Sequence, residues 1–317
     1  KSKMIPIAKP YLTSEEAQSA YDTILTGWVT QGPGVEEFED KFCEYTGAKY
    51  AAAISNCTTA LHIAMIIAGI GKDDEVICPS MSYIATANCI KYVGAKPVFA
   101  EIDPDNYNID IKHVKKLITD KTKAIIICSP NNPTGYLYSR EEMEALKEIC
   151  IKYNLYLFSD EAYREFCYDG EYVSAMHLAG LDQHVVLMDT ISKRYSACGA
   201  RLGAFVTKNK AVYDVAMKFA QARLSPPGLA QIMGEAAVDL PDSYFDAPKA
   251  EYLQRRNLLV QRLNAMQGVF CPNPGGAFYA IAQLPIDDSD KFCQWMLEEF
   301  SYNNQTVMLA PATGFYG

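Results

Sequence analysis

The fold of this chain is decided by residues 189–203, which read Asp189-Thr-Ile-Ser-Lys-Arg-Tyr-Ser-Ala-Cys-Gly-Ala-Arg-Leu-Gly203. They follow the apolar run His184-Val-Val-Leu-Met188, which predicts a buried strand that ends close to Lys193. Open α/β sheets bind their ligands at the carboxyl ends of such strands, and a partly desolvated lysine there supplies the free amine that a Schiff base requires. Arg201 follows eight residues later. This spacing suits a lysine held covalently to a carbonyl cofactor and an arginine on its phosphate, although the stretch alone also fits an ordinary surface turn.

Length and composition exclude several classes of protein. The chain has 317 residues, 49% of them hydrophobic, so it can bury a large core, and we expect two domains. Its formal net charge of −9 argues against a nucleic-acid or membrane-surface partner, although a local basic pocket for a phosphate remains compatible with it. No run of 18 apolar residues occurs, and the first residues lack the apolar core of a signal peptide. We therefore expect a cytoplasmic protein.

Metal binding is not expected. The ten cysteines are scattered without a C-x-x-C pair, and the four histidines are equally scattered. Cysteines in this arrangement are typical of reduced residues in a core.

Short apolar strands alternate with helical patterns along most of the chain. This alternation predicts an α/β fold, with a mostly parallel sheet covered by helices on both faces. A smaller α+β domain is expected at the C-terminus, so that residues 1–34 form an N-terminal arm, 35–245 the large domain and 246–317 a partial small domain. The predicted strands are 51–54, 75–79, 97–100, 124–128, 156–159, 185–188 and 307–310, and the predicted helices are 14–26, 35–45, 60–68, 83–93, 111–118, 141–153, 246–265 and 288–300.

Polar segments follow two further predicted strands. Strand 124–128 is followed by Ser129-Pro-Asn-Asn-Pro-Thr-Gly135, and strand 156–159 by Asp160-Glu-Ala-Tyr163. The carboxyl ends of parallel strands meet at one edge of a sheet, so we expect these segments to lie beside Lys193. Each has a structural alternative as a turn, a helix cap or a packing residue.

Asp160 needs a partner, because an unpaired carboxylate is expensive to bury. A protonated pyridine nitrogen is such a partner, and a charge-assisted bond to it contributes on the order of 1.5–3 kcal/mol. A phosphate could bind at Ser55-Asn-Cys-Thr-Thr59, where a strand leads into a helix and free N–H groups meet the positive end of the helix dipole. An ordinary N-cap is the alternative at that position.

From about Ala124 the chain resembles the aspartate aminotransferase family, the class I pyridoxal-phosphate enzymes. The resemblance rests on Ser129–Gly135, Asp160–Phe166, Ser192–Tyr195 with Gly199–Gly203, and Pro274-Gly-Gly-Ala-Phe-Tyr279. It implies pyridoxal 5'-phosphate as cofactor, with Lys193 forming a Schiff base to it and then moving a proton. It also implies that Asp160 binds the pyridine nitrogen, that Asn132 and Tyr163 bind the ring oxygen, and that Thr190, Ser192 and Arg201 surround the phosphate. These roles agree with the physical reading, because an electron sink needs a charged ring nitrogen and an anchored phosphate.

The first 120 residues are similar to a second group, the DegT-type aminotransferases of keto-sugar nucleotides. The similar stretches are Pro6–Leu12, Gly27–Gly34, Ser55–His62 and Pro79–Thr86. In both groups the helix that opens near residue 57 meets the phosphate and an aromatic residue covers the ring. The resemblance therefore implies that Cys57, Thr58 and Tyr83 contact the cofactor. It also implies a homodimer, in which the N-terminal arm with Trp28 and the turn at Gln31–Gly34 cross to the partner.

The C-terminal part resembles the small domain of class I aminotransferases. In that family the chain continues into a strand with the arginine that binds the substrate α-carboxylate, and no residue after Gly317 supplies it. We expect any replacement to come from Arg164, Arg194, Arg223 or a second subunit.

The predicted function is a pyridoxal-phosphate aminotransferase that moves an amino group from an amino acid to an oxo acid. Its partners are expected to be a small-molecule amino donor and an oxo acceptor. One alternative is a DegT-type keto-sugar aminotransferase, and a second is a mosaic that binds the cofactor with weak or no turnover. A third is another lysine-dependent chemistry of the same cofactor, such as decarboxylation or β-elimination, because the anchor of the cofactor does not fix the reaction.

Overall fold

A seven-stranded sheet forms the centre of the computed structural model, which describes residues 13–28 and 32–315. The strand order is β1-β7-β6-β5-β4-β2-β3. Within the described residues β7 runs antiparallel to both of its neighbours, and the other pairs are parallel. The predicted mostly parallel α/β fold is confirmed. The strands are β1 Tyr50–Ile54, β2 Glu75–Pro79, β3 Lys96–Ala100, β4 Thr122–Cys128, β5 Tyr156–Asp160, β6 Val185–Thr190 and β7 Gly203–Thr207.

The central strands are apolar on both sides because the sheet is covered on both faces. In β4, Ile125 and Ile127 join one buried cluster, which includes Phe38 of the helical layer. Ile126 points to the opposite face and joins a second cluster with Phe158. Full burial of one such side chain contributes about 1.5–3 kcal/mol. The continuous apolar runs that predict the strands therefore reflect burial in two cores, one on each face of the sheet.

The helices begin and end at residues that suit those positions. The first turns of α1 and α6 carry capping boxes, formed by Thr13 with Glu16 and by Ser139 with Glu142. Helix α6 ends at Asn154, which adopts a left-handed conformation with φ of 53°. The helices are α1 Ser14–Thr26, α2 Pro33–Thr46, α3 Cys57–Ile67, α4 Ala85–Tyr92, α5 Ile111–Leu117, α6 Arg140–Tyr153, α7 Ile191–Arg194, α8 Lys210–Ala222, α9 Gly228–Val238, α10 Asp246–Asn264 and α11 Ser289–Glu298.

The structure corrects the prediction at several places. The strand predicted at 307–310 is wrong, because these residues form no strand and Val307 and Met308 are more than half exposed. An apolar run becomes a strand only when a neighbouring strand pairs with it. Strand β7 and helices α7, α8 and α9 were not predicted.

In the described ranges, no helix is long and apolar enough to cross a membrane.

Part of the predicted N-terminal arm lies outside the described residues. This applies to the stretch Pro6–Leu12 and to Gln31 of the predicted turn. The part that the structure describes contains α1, which packs against α9.

Candidate active site

A cavity of about 320 Å³ opens at the carboxyl ends of the parallel strands. Its walls come from the loops after β1, β2, β4, β5 and β6, from the segment that precedes β7 and from Tyr279 in the C-terminal region. The structure brings together in this one cavity all the side chains that were predicted from separate parts of the sequence. They are Cys57, Thr58, Tyr83, Asn132, Asp160, Tyr163, Thr190, Ser192, Lys193 and Arg201.

Lys193 lies on the single-turn helix α7, directly after β6. Thr190 caps this turn, since its Oγ1 accepts a hydrogen bond from the Ser192 N–H at 3.1 Å. The same hydroxyl donates to the carbonyl of Leu202 at 2.8 Å and lies 2.7 Å from the Ser192 hydroxyl. The Lys193 Nζ is 5.9 Å from the centroid of the Tyr163 ring. The turn thus presents an amine and two hydroxyl groups to the cavity.

Helix α3 points its N-terminus at the cavity. Asn56 caps the helix, and its Oδ1 accepts from the Thr59 N–H at 2.9 Å. Cys57 and Thr58 precede Thr59 in the first turn, where a helix offers no internal acceptor for N–H groups. These donors and the positive end of the helix dipole form a site suited to a phosphate.

Gly203 allows the strands and helix that surround this site to approach closely. A Cβ atom at Gly203 would lie 2.7 Å from the carbonyl oxygen of Asp189 and 3.4 Å from the Cα of Asn56. A side chain there would therefore push β7 away from β6 and from the α3 N-terminus. Glycine at this position keeps Lys193 and the anion-binding helix end on the same cavity.

Asp160 is the last residue of β5 and is held in place by its own loop. Its Oδ1 accepts a hydrogen bond from the Ala162 N–H at 3.1 Å. Burial, together with the negative charges of Asp189 and Glu161, raises the pKa of Asp160 to about 6, although the hydrogen bond from Ala162 lowers it. A cationic partner in the cavity would offset this cost of burial. The donor set therefore fits pyridoxal phosphate, whose protonated ring nitrogen is such a cation and whose phosphate suits the α3 N-terminus.

Tyr163 links two sides of the cavity through hydrogen bonds. Its Oη accepts from the Asn132 Nδ2 at 3.1 Å and lies 3.1 Å from the Oη of Tyr279. Tyr279 was not among the residues predicted for the site, although it belongs to the Pro274–Tyr279 stretch of the class I resemblance. It is 116 positions from Tyr163 in the sequence, and no local pattern predicts that pairing.

Arg201 enters the cavity from the amino end of β7. Because β7 is antiparallel to β6, its amino end lies at the same edge of the sheet as the carboxyl ends of the parallel strands. Arg201 therefore reaches this edge although it precedes its strand. The residue has a left-handed conformation with φ of 57°, and its Nη1 donates to the carbonyl of Cys198 at 2.7 Å. The guanidinium is exposed and free to bind an anion through its other N–H groups.

Three arginines that were considered for the substrate carboxylate do not line this cavity. Arg194 is buried against Asp189, and Arg164 lies 3.9 Å from both Asp189 and Glu161. Arg223 lies on a different cavity, with its Nη2 3.4 Å from the Nδ1 of His62. The expectation that a replacement for the family's carboxylate-binding arginine comes from one of these three residues or from a second subunit stays a prediction.

No metal centre accompanies the cavity in the part of the chain that the structure describes. No group of three or more His, Cys, Asp or Glu side chains there could hold a metal ion.

Comparison with known proteins identifies relatives of two kinds. The DegT/DnrJ/EryC1/StrS aminotransferase family matches residues 10–178. Aspartate aminotransferase of Geobacillus stearothermophilus is 32% identical over 296 residues, which cover 88% of this chain and 73% of the relative. The UDP-4-amino-4-deoxy-L-arabinose–oxoglutarate aminotransferase of Shewanella sediminis is 32% identical over 166 residues, or 52% of this chain and 41% of the relative. Among solved structures, a double mutant of Thermus thermophilus aspartate aminotransferase superposes with a TM-score of 0.85 at 26% identity, covering 97% of this chain and 83% of that chain.

Fold and relatives together define an aminotransferase of fold type I. The chain belongs to the DegT/DnrJ/EryC1/StrS aminotransferase family, and it also has the class I character of the aspartate aminotransferases. It is an enzyme that transfers an amino group between small amino and oxo compounds. Aminotransferases of this family generally use pyridoxal phosphate.

Proposed function

We propose that this chain binds pyridoxal 5'-phosphate in the 320 Å³ cavity and moves the amino group of an amino acid to an oxo acid. The observation that carries the proposal is the meeting of Lys193, Asp160 and the N-terminus of α3 on one cavity. When bound, the cofactor supplies an electron sink for negative charge on the substrate carbon that bears the amine. The residues of the chain bind the cofactor, orient it and move protons.

Each side chain has a role that follows from its chemistry. Asp160 holds a negative charge for the ring nitrogen, and its buried position makes that charge effective because little water screens it. Asn132 and Tyr163 donate hydrogen bonds to the ring oxygen. The phosphate is bound by the α3 N-terminus with Cys57 and Thr58, by the hydroxyls of Thr190 and Ser192, and by Arg201, while Tyr83 covers the ring.

Lys193 is the residue that we assign to covalent attachment and to proton transfer. Its amine lies near the face of Tyr163, at the same end of β6 as the Thr190 and Ser192 hydroxyls. A lysine on a short capped turn has one backbone position and a flexible side chain. Its Nζ can therefore reach more than one atom of a bound substrate while its backbone remains fixed.

A keto-sugar acceptor is the second candidate, and the family match over residues 10–178 favours it. The class I stretches favour an oxo acid, since they carry both the lysine turn and the Pro274–Tyr279 segment. The two candidates differ in the half-reaction that returns the amino group. A comparison of oxo acids with keto-sugar nucleotides as acceptors, at equal concentration, separates them.

A homodimer and a three-part division of the chain belong to the same proposal. Helix α1 exposes Tyr21, Ile24 and Leu25, and Trp28 beyond it is also exposed. Large exposed apolar side chains grouped in this way are typical of a protein interface. We propose that this surface contacts a second copy and that residues 1–34, 35–245 and 246–317 are the arm, the large domain and part of a small domain. Sedimentation that finds only a 35.2 kDa monomer at micromolar concentration would exclude the dimer.

The test of cofactor binding is a visible spectrum followed by chemical trapping. Protein mixed with pyridoxal phosphate is expected to gain an absorption band that borohydride abolishes, and peptide mapping is expected to place the reduced adduct on Lys193. Lys193→Ala should lose the adduct. Lys210→Ala, at an exposed lysine paired with Asp214, is the matched control and should retain it. An adduct on another lysine in the Lys193→Ala protein would show that the assignment is wrong.

The test of transamination is the absorbance change on mixing the loaded protein with amino acids. Aspartate, glutamate and aromatic amino acids are expected to convert the cofactor to its amine form, and an oxo acid should reverse the change. A band that forms but does not respond to any amino acid would leave cofactor binding in place and exclude the proposed reaction. The same experiment separates transamination from decarboxylation and β-elimination, since these release other products.

A further inference from the structure

We propose that Tyr279 is a positioning residue that directs the hydroxyl proton of Tyr163 into the cavity. The proposal rests on the proposed cofactor site, because it assigns the proton of Tyr163 to a group bound there. Tyr279 lies in the C-terminal region of the chain, and its hydrogen-bond partner Tyr163 lies in the large domain. It would set how strongly Tyr163 donates to the ring oxygen.

The first step is a count of protons and lone pairs on Tyr163. A phenol oxygen has one proton to donate and two lone pairs to accept with. The Asn132 Nδ2, which can only donate, occupies one lone pair at 3.1 Å. If Tyr279 donates at its 3.1 Å contact, the second lone pair is also occupied. The proton of Tyr163 is then directed away from both neighbours and toward the cavity.

The second step concerns the direction of the bond between the two tyrosines. Tyr163 is buried, and its ring is held edge-on by Phe278 and Tyr279, with centroids 5.4 and 5.5 Å away. An anionic ring oxygen in the cavity is a stronger acceptor than a neutral phenol, so it attracts the proton of Tyr163. Tyr279 then donates to Tyr163, and the donated bond polarises the Tyr163 hydroxyl further.

The third step is that Tyr279 is fixed by its backbone. The Gly276 N–H donates to the carbonyl of Gly135 at 2.8 Å, and the Ala277 N–H donates to the carbonyl of Phe166 at 2.8 Å. The Tyr168 hydroxyl donates to the carbonyl of Ala277 at 2.6 Å. These bonds attach the segment 274–279 to both loops that carry Asn132 and Tyr163. Removal of the Tyr279 hydroxyl would therefore leave the segment in place.

The experiment compares Tyr279→Phe with the control Tyr153→Phe, which removes the hydroxyl of an exposed tyrosine at the end of α6 that does not line the cavity. The readout is the midpoint pH of the visible absorption change of bound pyridoxal phosphate. Donation from Tyr163 favours the proton-free form of the chromophore, so weaker donation should raise this midpoint. Tyr279→Phe is expected to raise it by a few tenths of a pH unit, in line with cooperative strengthening of roughly 10–30% per bond. Tyr153→Phe should leave it unchanged.

Opposite results follow if Tyr163 donates to Tyr279 instead. In that case Tyr279→Phe frees the proton of Tyr163 for the cavity and lowers the midpoint, which would overturn the proposal, as would no shift at all. Infrared spectra of the protein loaded with pyridoxal phosphate, with labelled tyrosine, provide a second readout. Loss of an accepted bond and loss of a donated bond move the C–O stretching band of Tyr163 in opposite directions. A wild-type protein without any cofactor band would instead contradict the proposed function, whereas a normal band that Tyr279→Phe does not shift would overturn only the role of Tyr279.

Discussion

The carboxylate of Asp189 and the guanidinium of Arg194 form a buried ion pair that closes the turn around Lys193. Both side chains are fully buried, and the Asp189 Oδ1 also accepts from the Thr190 N–H at 2.6 Å. The Arg194 guanidinium lies 4.8 Å from the centroid of the Tyr45 ring on α2. The two residues flank the turn on either side, so the pair fixes the turn to the sheet and to the helical layer.

Arg194→Met is expected to destabilise the protein strongly, because the buried carboxylate of Asp189 loses its hydrogen-bonded partner and keeps only Arg164, whose Nη1 lies 3.9 Å away. Removal of one member of a buried pair costs about 3–5 kcal/mol in the free energy of unfolding. Urea unfolding measures the change, with Lys210→Met as the control at an exposed ion pair, where little change is expected. Adding Asp189→Asn to Arg194→Met should recover part of the loss. If Arg194→Met unfolds at the wild-type urea concentration, the pair does not stabilise the turn.

Asp160→Ala is expected to reduce turnover far more than cofactor affinity. The carboxylate contributes charge where negative charge develops, and loss of such a preorganised group costs about 10²–10³-fold in rate. The contacts proposed for the phosphate remain in the variant and preserve most of the affinity. Cofactor titration and amino-acid half-reaction rates measure the two quantities separately. Asp182→Ala, at a surface carboxylate near Lys208, is the control. Equal losses of affinity and turnover would contradict this division of roles.

Stability is expected to fall as the pH rises from about 5 to 8, because of Glu39. Its Oε1 accepts from the Ala53 N–H at 2.7 Å, and burial raises its pKa from 4.5 to about 7. Between these values the folded state holds a proton that the unfolded state has lost. Unfolding therefore becomes easier as the pH passes through this window, by up to roughly 3 kcal/mol.

Glu39→Gln should remove the contribution of Glu39 to this pH dependence while its side-chain oxygen still accepts from Ala53. The contribution of Asp160, whose pKa is raised to about 6, should remain. Urea unfolding at pH 5 and pH 8 is the measurement. Glu44→Gln, at an exposed position in the same helix, should keep the wild-type slope. A Glu39→Gln protein with the wild-type slope would assign the effect to another group.

Gly135→Ala is expected to destabilise the protein and to disturb the site, since Gly135 lies where the loop after β4 meets the segment 274–279. A Cβ atom there would lie 2.4 Å from the Cβ of Pro274 and 2.8 Å from the carbonyl oxygen of Gly276. Gly170→Ala is a matched control, because Gly170 also has positive φ but no atom within 4 Å of the added Cβ. The control isolates the backbone strain, about 1 kcal/mol. Equal losses of stability and of cofactor affinity in both variants would show that the close packing at Gly135 is unimportant.

The sequence predicted those parts of the site that follow buried strands. Lys193, Asp160 and Asn132 each come just after an apolar run or at its last residue, and the edge of a parallel sheet brings such positions together. Tyr279 escaped prediction because its partner is distant in the chain, and only the folded C-terminal region places it beside Tyr163. The place of Arg194 outside the cavity could not be predicted for a related reason, because it depends on the pairing with Asp189. A sequence shows a cation but does not show which carboxylate neutralises it.

The errors in the fold have a similar origin. Strand β7 was missed because its five residues follow the lysine motif directly and include two small ones. The apolar run 307–310 predicts a strand that the structure does not contain. Whether either segment forms a strand depends on pairing with strands that are distant in the sequence. A local sequence pattern does not reveal such pairing.

The reversed direction of β7 makes Lys193 and Arg201 parts of a single hairpin. Thr190 and Gly203 are paired across β6 and β7, so the ends of the intervening segment are held at a constant separation. Insertions or deletions between residues 195 and 200 would change the reach of Arg201 without altering the sheet. The length of this loop therefore sets the distance between the amine of Lys193 and the guanidinium of Arg201. A change in loop length alone could adapt a redesigned enzyme to an anion of a different size.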